Sequence, residues 1–343
     1  MAAFATPSGA TLRHRTVELL LRTPFRLSRG TSTFRHNLLV EIEHEGVIGR
    51  GEAAPLARYG ESAASAAAAV ERMADGLTDV KAFAEEAGRL AIEGQNAAAA
   101  AVDMALHDLA SRRLGIPVRE LLGIGKRQLA PTSWTIGNDP IGEALEKVAA
   151  AQHFEVLKLK MGLAGDLELL RAVRGATRQA IRVDANEGWS LEEAHGKLEE
   201  LAELEVEMVE QPLKWDQLAE MRELKKKSPL PLIADESLHH AGDIPKLADA
   251  FDGINIKLAK CGGIAPALRL IATARAHGLK ILLGCMVESS LGIAAALAIA
   301  PLVDWIDLDG SLLVANDPFA GLVLDGGRLL LPEGPGLGVA PVA

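Results

Sequence analysis

The chain has 343 residues, too many for one small core, so its length predicts two domains or one barrel with an addition. Hydrophobic residues make up 49% of it but aromatic residues only 3%, which predicts a core of aliphatic side chains. The net charge of -10 argues against a nucleic-acid surface or an anionic membrane as a partner. A small-molecule substrate is therefore the expected partner.

The two cysteines, Cys261 and Cys285, are far apart and each adjoins a glycine, so neither a disulfide framework nor a Cys-based metal site is predicted. Residues 1–15 lack the pattern of a secretory leader, and no uncharged stretch has membrane-spanning length. We therefore expect a cytoplasmic protein without a membrane partner. The sequence is compatible with a homo-oligomer and predicts no number of subunits.

The first third of the chain predicts a small antiparallel sheet covered by helices. Alternating apolar and polar residues predict the strands, and Ala-rich runs predict the helices, at 16–21, 37–44, 47–52, 62–76 and 96–114. The Glu45–Gly46 pair predicts the turn between the second and third strands. Asn96 is predicted to cap the second helix.

From about residue 130, short apolar runs alternate with amphipathic helical stretches, which is typical of a (β/α)8 barrel. The runs end 22–27 residues apart, at Gly137, Lys160, Asp184, Glu210, Asp235, Lys257, Gly284 and Asp307. No clear helix follows the last run. We predict an α/β protein with an α+β capping domain (1–125), a modified TIM-type barrel (126–310) and a C-terminal tail that returns to the cap (311–343).

Charged side chains lie at these predicted strand ends, where the active site of a barrel is found. Lys158 and Lys160 are two apart on one strand, so both ammonium groups face one space. A solvated strand edge with alternating lysines would give the same pattern. Lys257 ends the sixth run, on the opposite side of the barrel, whereas Lys260 is expected in the following loop. The Gly262–Gly263 pair alone would also suit a phosphate-binding turn.

Three acids end three successive runs: Asp184, Glu210 and Asp235. Converging carboxylates repel one another unless a cation lies between them, and oxygen ligands of this kind suit Mg²⁺. Acids at single strand ends also cap helices, but that explanation accounts poorly for three in succession. The sequence thus predicts a metal site with a lysine on either side.

These motifs, in this order, resemble the enolase superfamily, in the subgroup named for muconate lactonizing enzyme. The matching segments are Lys158-x-Lys160, Asp184-x-Asn186, Glu210-Gln211-Pro212, Asp235-Glu236-Ser237 and Asn255-Ile256-Lys257 with Gly262-Gly263. The resemblance covers nearly the whole chain. It implies that Mg²⁺ is held by the three acids and that Lys160 and Lys257 exchange a proton on opposite faces of an α-carbon, with Lys158 beside the enediolate. We expect nearby cations to lower the pKa of these bases to ~7–8.

Asp307-Leu308-Asp309 is similar to the acidic pair with which dipeptide epimerases hold the substrate's amino group. An acidic pair at a strand end also caps turns. Thr135 resembles a substrate-side residue of the family, and Arg29 lies in the loop that contacts the substrate side chain. An arginine there suits a C-terminal Glu. The alternatives are Arg22, Arg26 and Arg35.

The resemblance therefore implies epimerisation of the C-terminal residue of a dipeptide such as L-Ala-L-Glu. The alternatives within the subgroup are o-succinylbenzoate synthase, N-succinylamino acid racemase and cycloisomerase. A non-catalytic binding protein on the same barrel is a further hypothesis, but simple binding requires no lysines on opposite faces of a ligand.

Overall fold

The N-terminal lobe contains a four-stranded antiparallel sheet in the computed structural model, which describes residues 2–27 and 30–342. Its strands are β1 (Ala2–Ala5), β2 (Thr11–Leu27), β3 (Gly30–His44) and β4 (Val47–Ala53). β2 and β3 form a ribbon longer than the alternation predicts. The turn at Glu45 and Gly46 is confirmed, with φ of 55° and 78°.

Four helices cover this sheet: α1 (Ala63–Gly76), α2 (Phe83–Leu90), α3 (Asn96–Leu114) and α4 (Val118–Leu121). Ser62 caps α1 by accepting a hydrogen bond from the Ser65 amide. The predicted cap of α3 is wrong, because the Asn96 side chain instead donates to the Lys260 carbonyl. A Glu61 carboxylate oxygen accepts from the Ala97 amide, 2.9 Å away, and satisfies that end of the helix.

Eight parallel strands form the predicted barrel: β5 (Ser133–Ile136), β6 (Val156–Lys160), β7 (Ala180–Asp184), β8 (Val206–Glu210), β9 (Leu232–Ala234), β10 (Gly253–Ile256), β11 (Lys280–Gly284) and β12 (Trp305–Asp307). Each pairs with the next along the chain. A parallel bridge between Thr132 and Ile306 brings β12 beside the segment that enters β5. The Leu308 amide donates to the Thr132 hydroxyl there, at 2.9 Å. The predicted fold class is confirmed.

The helices around the barrel are α5 (Ile141–Ala150), α6 (Asp166–Ala176), α7 (Leu191–Glu203), α8 (Leu218–Lys227), α9 (Ile244–Leu247), α10 (Leu258–Cys261), α11 (Ile264–Ala276) and α12 (Ser290–Ile299). β12 is followed in the described chain by a short 3-10 helix, residues 310–313, as the missing helical pattern predicts. None of the helices in the described part of the chain is both long and apolar enough to cross a lipid bilayer.

The tail carries four two-residue strands: β13 (Phe319–Ala320), β14 (Leu324–Asp325), β15 (Arg328–Leu329) and β16 (Ala340–Pro341). Its last part lies against the cap helices. The Val118 amide donates to the Gly336 carbonyl, and the Leu337 amide donates to an Asp108 carboxylate oxygen at 2.7 Å. The end of the chain therefore contacts the N-terminal lobe.

The cap has an apolar cluster of its own, and a second cluster and a buried polar junction join it to the barrel. Val17, Leu19, Leu39 and Met104 of the cap belong to the same buried cluster as the barrel strands. At the start of α12, a buried Glu52 carboxylate from β4 accepts hydrogen bonds from the amides of residues 289 and 292. A carboxylate at a helix N-terminus satisfies otherwise unpaired amides, so this contact fixes the cap on the barrel.

Candidate active site

Lys158 and Lys160 of β6 are buried, with 3% and 8% of their surface exposed, which rules out a solvated strand edge. Lys158 Nζ is 2.7 Å from Asp307 Oδ2, 2.6 Å from Glu210 Oε2 and 3.1 Å from Asp184 Oδ2. Lys160 Nζ donates to Asp184 Oδ2 at 2.6 Å. The alternation along β6 thus directs both ammonium groups into the barrel, among the predicted acids.

The three predicted acids lie at neighbouring strand ends, and each is at most 2% exposed. Burial disfavours the charged form of Asp184, but Lys160 and Lys158 outweigh it and hold its pKa below the usual range. Burial raises the pKa of Glu210 to about 7, and the negative charges of Asp184 and Asp235 add to this shift. The carboxylates are therefore close enough to repel one another.

The donor chemistry of this site fits a hard divalent cation, because Asp184, Glu210 and Asp235 offer only carboxylate oxygens. Lys158 and Lys257 lower the pKa of Glu210, but burial and the two neighbouring carboxylates outweigh them. Among the described residues, however, no three His, Cys, Asp or Glu side chains are gathered as they would be around a metal ion. The ammonium groups contact these carboxylates instead, so a cation would have to replace some of those contacts.

Lys257 follows β10, on the far side of the barrel from β6, and is 7% exposed. Its Nζ donates to Asp235 Oδ2 at 2.7 Å. Burial disfavours its charged form, but Asp235 and Glu210 dominate and hold the pKa of Lys257 well above the usual range. The pKa of Lys158 is likewise held well above its usual range, because Asp307 and Glu210 outweigh the effect of burial.

The predicted position of Lys260 in a loop is wrong. It lies in α10, is 2% exposed, and its Nζ contacts Asp235 Oδ1 at 2.6 Å and the carbonyl of Asn255 at 3.1 Å. One helical turn directly after β10 folds the side chain back beneath the strand ends. Asp235 is therefore held by two lysines, and an Ile-Lys-x-x-Lys spacing is the signal that could have revealed the second.

The predicted substrate-side acids Asp307 and Asp309 are buried beside one another. Asp307 accepts from the Ser133 hydroxyl and from Lys158, and these contacts outweigh burial and keep its pKa low. Asp309 accepts from the Thr135 amide at 2.8 Å. Burial, together with the charge of Asp307, raises the pKa of Asp309 to about 6. The two acids thus differ in their proton affinity.

One cavity connects these groups with the cap. Its barrel floor, as we call the charged side chains at the strand ends, comprises Lys158, Lys160, Asp235, Glu236, Lys257, Asp307 and Asp309. Thr135 also lines the cavity, whereas Asp184 and Glu210 lie behind the lysines that contact them. The opposite side, the cap wall, comprises Arg35, Asn37, Ala54, Pro55, Leu56 and Tyr59.

The four arginines considered for contact with the substrate side chain have different surroundings. Arg29 lies outside the described residues. Arg26 contacts Asp139 and Glu143 at 2.7 and 2.5 Å, and Arg22 is exposed and donates to the carbonyl of residue 312. Arg35 alone among the described three lines the cavity.

Comparison with known proteins was made for the whole chain. Residues 10–123 match the model of the mandelate racemase/muconate lactonizing enzyme N-terminal domain, and residues 141–342 match the enolase C-terminal domain-like model. The chain belongs to this family of the enolase superfamily.

Curated members of the family resemble the chain over most of its length. An L-Ala-D/L-Glu epimerase of Bacteroides thetaiotaomicron is 38% identical, with 95% of this chain and 86% of the relative aligned. A hydrophobic dipeptide epimerase of Roseobacter litoralis is 39% identical, covering 95% and 98%. The structure of a dipeptide epimerase from Cytophaga hutchinsonii, complexed with Mg and D-Ala-L-Val, superposes with a TM-score of 0.93 at 28% identity, covering 100% and 96%.

Proposed function

We propose that the chain is a Mg²⁺-dependent dipeptide epimerase that inverts the α-carbon of the C-terminal residue by proton transfer between two bases. The observation that carries this proposal is the placement of Lys160 and Lys257 on opposite sides of the barrel, both lining one cavity. A site that only binds a ligand does not require a pair of lysines on opposite sides of it. The relatives named as dipeptide epimerases support the same activity.

In the proposed reaction, the substrate lies between the two lysines with its α-carbon toward both. Lys160 removes the proton from one face and Lys257 returns one to the other, which inverts the centre. The negative charge that develops on the substrate carboxylate needs fixed positive charge, and buried Lys158 lies where it can provide it. Each base must be neutral before it accepts a proton, so the lysine–carboxylate contacts must loosen in the working enzyme.

Asp184, Glu210 and Asp235 are the residues that would hold Mg²⁺. Bound there, the ion would supply positive charge that stabilises the enediolate and compensates the carboxylates that otherwise pair with lysine. On the substrate side, we propose that Asp307 and Asp309 bind the dipeptide's ammonium group, that Thr135 also binds the substrate, and that Arg29 contacts the substrate side chain. The position of Thr135 in the cavity lining supports its role.

The organisation of the chain is proposed as in the sequence analysis: cap, barrel and tail at 1–125, 126–310 and 311–343. The end of α4 at Leu121 and of β12 at Asp307 support these boundaries. We propose the cytoplasm as its compartment, since both cysteines are free thiols. Sedimentation of the purified chain would decide between a monomer and a homo-oligomer.

The function is tested by proton NMR of L-Ala-L-Glu and a panel of other L,L-dipeptides in deuterated buffer with enzyme and Mg²⁺. We expect the C-terminal α-proton signal to decay while the L,D epimer appears, and a chelator to stop both. Exchange that survives complete metal removal would contradict the metal requirement. If no dipeptide exchanged, the epimerase proposal would fail, and synthase and cycloisomerase substrates would be assayed next.

A further inference from the structure

The chain after Lys257 makes a tight turn at two consecutive glycines. Lys257 immediately precedes α10, and its carbonyl accepts hydrogen bonds from the amides of residues 260 and 261, both at 3.0 Å. Gly262 and Gly263 follow with φ of 96° and 119°, a region that favours glycine. Two glycines in succession leave the backbone free to rotate unless other groups hold it. The position of Lys257 therefore depends on what fixes the chain on both sides of this turn.

The cap helix α3 holds the chain on both sides of the turn. Before the glycines, the Asn96 side chain donates to the Lys260 carbonyl at 2.8 Å. After them, Asp103 Oδ2 accepts from the Ile264 amide at 2.5 Å, and Oδ1 accepts from the Ala265 amide at 3.4 Å. The Asp103 side chain is fully buried. A carboxylate at a helix N-terminus satisfies amides that are otherwise unpaired, so Asp103 fixes the start of α11.

The contact with Asp103 also explains why position 263 is a glycine. A Cβ atom there would lie 2.6 Å from the Cβ and Cγ atoms of Asp103, which is closer than two side chains can approach. The carboxylate also occupies the position that an anion would take at the start of α11, which excludes the phosphate-binding turn considered for Gly262–Gly263. The glycine pair instead allows α11 to begin in direct contact with α3.

The segment after Lys160, on the other side of the barrel, is held by the barrel itself. The Met161 amide donates to a carbonyl of β7 at 2.8 Å, and the Gly162 amide donates to Asp166 Oδ2 of α6 at 3.1 Å. The two proposed bases therefore differ in their support. The segment that follows Lys257 is held by a helix of the cap, whereas these contacts hold the segment that follows Lys160 from within the barrel.

We propose that Asp103 and Asn96 are positioning residues of the cap, which fix Lys257 but not Lys160 at its working distance from the substrate. The inference rests on the proposed two-base epimerisation and goes beyond it, because it gives the cap a part in proton transfer on one face. Neither side chain lines the active-site cavity, so both act through the backbone of residues 257–265. A displacement of about 1 Å at a reacting group can lower a rate by about 10²-fold.

The experiment measures exchange of the substrate α-proton with deuterium by enzymes that retain one base, in the presence of Mg²⁺. Lys160→Ala leaves Lys257 as the base and Lys257→Ala leaves Lys160, and each is given the epimer of Ala-Glu that it exchanges. Asp103→Asn is then added to both. It preserves the size of the side chain but replaces one acceptor oxygen with a donor. We expect exchange by Lys257 to fall roughly 10- to 100-fold and exchange by Lys160 to be unchanged, as measured by proton NMR.

Asn96→Ala is a second, milder variant, because Asn96 is only partly buried. It removes the hydrogen bond to the Lys260 carbonyl on the near side of the turn. The loss of one hydrogen bond should lower exchange by Lys257 by about 2- to 10-fold and leave exchange by Lys160 unchanged. If Asp103→Asn did not fold, this variant alone would decide the proposal.

Asp108→Asn is the matched control, since Asp108 is also a buried carboxylate of α3. It accepts from the amides of Arg50 and Leu337, away from the glycine turn. Its substitution should leave the ratio of the two exchange rates at the wild-type value, even if the protein becomes less stable, because a loss of folded protein lowers both rates alike.

The ratio of exchange by the two bases decides the proposal. Equal losses for both bases in Asp103→Asn and Asn96→Ala would show that α3 only stabilises the fold, and unchanged rates for both would show that Lys257 needs no support from the cap. Either result overturns the proposal. Failure of the epimerase function has a different signature, since the wild type would then exchange neither epimer.

Discussion

The barrel floor and the cap wall bound the same cavity but handle charge in opposite ways. On the floor, Lys158, Lys160 and Lys257 each contact at least one buried carboxylate, at distances from 2.6 to 3.1 Å. On the wall, a single arginine stands among neutral side chains. The floor is thus an internally compensated network, whereas the wall leaves one charge to be compensated by the substrate.

From this difference we expect the barrel floor to carry out catalysis and the cap wall to discriminate among substrates. Removal of an α-proton requires the same chemistry in every dipeptide. The groups that perform it therefore form one network on rigid strand ends. Dipeptides differ from one another in their side chains. Discrimination among them is therefore expected to depend on the cap wall, to which the long ribbon of β2 and β3 contributes. Variants on the floor should therefore affect all substrates, and variants on the wall only some.

The largest effect is expected for the two proposed bases. Lys160→Ala and Lys257→Ala should each lower epimerisation of every dipeptide by about 10²–10⁴-fold, because general base catalysis is lost on one face. Each variant should still exchange the α-proton of one epimer with solvent deuterium, and the two variants should exchange opposite epimers. Proton NMR of the separate L,L and L,D dipeptides measures both quantities.

Lys126→Ala is a suitable control for these variants, since Lys126 is exposed and forms an ion pair with the surface Glu333. It should exchange and epimerise like the wild type. If a variant of either proposed base epimerised at the wild-type rate, the assignment of that lysine would be wrong. Each base variant should also lose the same fraction of its epimerisation activity toward Glu and Gln dipeptides. A larger loss for one of them would show that residues of the barrel floor contribute to substrate specificity.

A moderate effect is expected at Asp309, through pH. Its pKa is raised to about 6, so the carboxylate is charged above pH 6 and neutral below it. If it binds the substrate's ammonium group, kcat/KM for dipeptides should fall about tenfold per pH unit once the pH is below 6, since only the charged form binds. Asp309→Asn should be less active at pH 8 and should lack this step. A step of the same size in the variant would assign it to another group.

The smallest effect on catalysis is expected at the junction between the two regions. Burial raises the pKa of Glu288, next to Glu52 and α12, from 4.5 to about 8. Between these values the folded protein binds a proton that the unfolded chain has lost, so stability falls as the pH rises. Glu288→Gln keeps the neutral shape and should remove that fall, gaining on the order of 2–4 kcal/mol relative to the wild type at pH 8.

Urea unfolding at pH 5 and pH 8 measures this gain, with the exposed Glu203→Gln as a control that should behave like the wild type. Catalysis at pH 7 should change little, because Glu288 does not line the cavity. A variant destabilised equally at both pH values would show that Glu288 is ionised in the folded protein.

The strand-end residues could be predicted because two regularities of the sequence coincide. The interval between apolar runs locates the ends of the strands, and a charged residue that closes a buried run must face other charges or a ligand. Asp184 and Glu210, for example, follow directly from that argument. Their proposed roles as metal ligands remain a prediction, because the donor set fits Mg²⁺ while lysines contact the carboxylates in this structure.

Lys260, Asn96 and Arg35 were harder to place, because their environments depend on contacts between distant segments. The turn of helix that buries Lys260 is only four residues long, too short for a periodic pattern. Asn96 has the composition of a helix cap, yet Lys260 provides a competing acceptor from 164 residues away. Which of several arginines enters the cavity is set by the register of β2 and β3, and that register is not visible in composition.

The core that runs continuously from the cap into the barrel restricts how substrate preference can be engineered or can evolve. A chimaera that exchanged the whole cap with that of a relative would have to match Val17, Leu19, Leu39 and Met104 to the strands beneath them, and mismatched volumes there would leave voids. Arg35, which lines the cavity from β3, is not part of this buried cluster. New dipeptide preferences are therefore reached more readily by point changes along one strand than by exchange of a lobe.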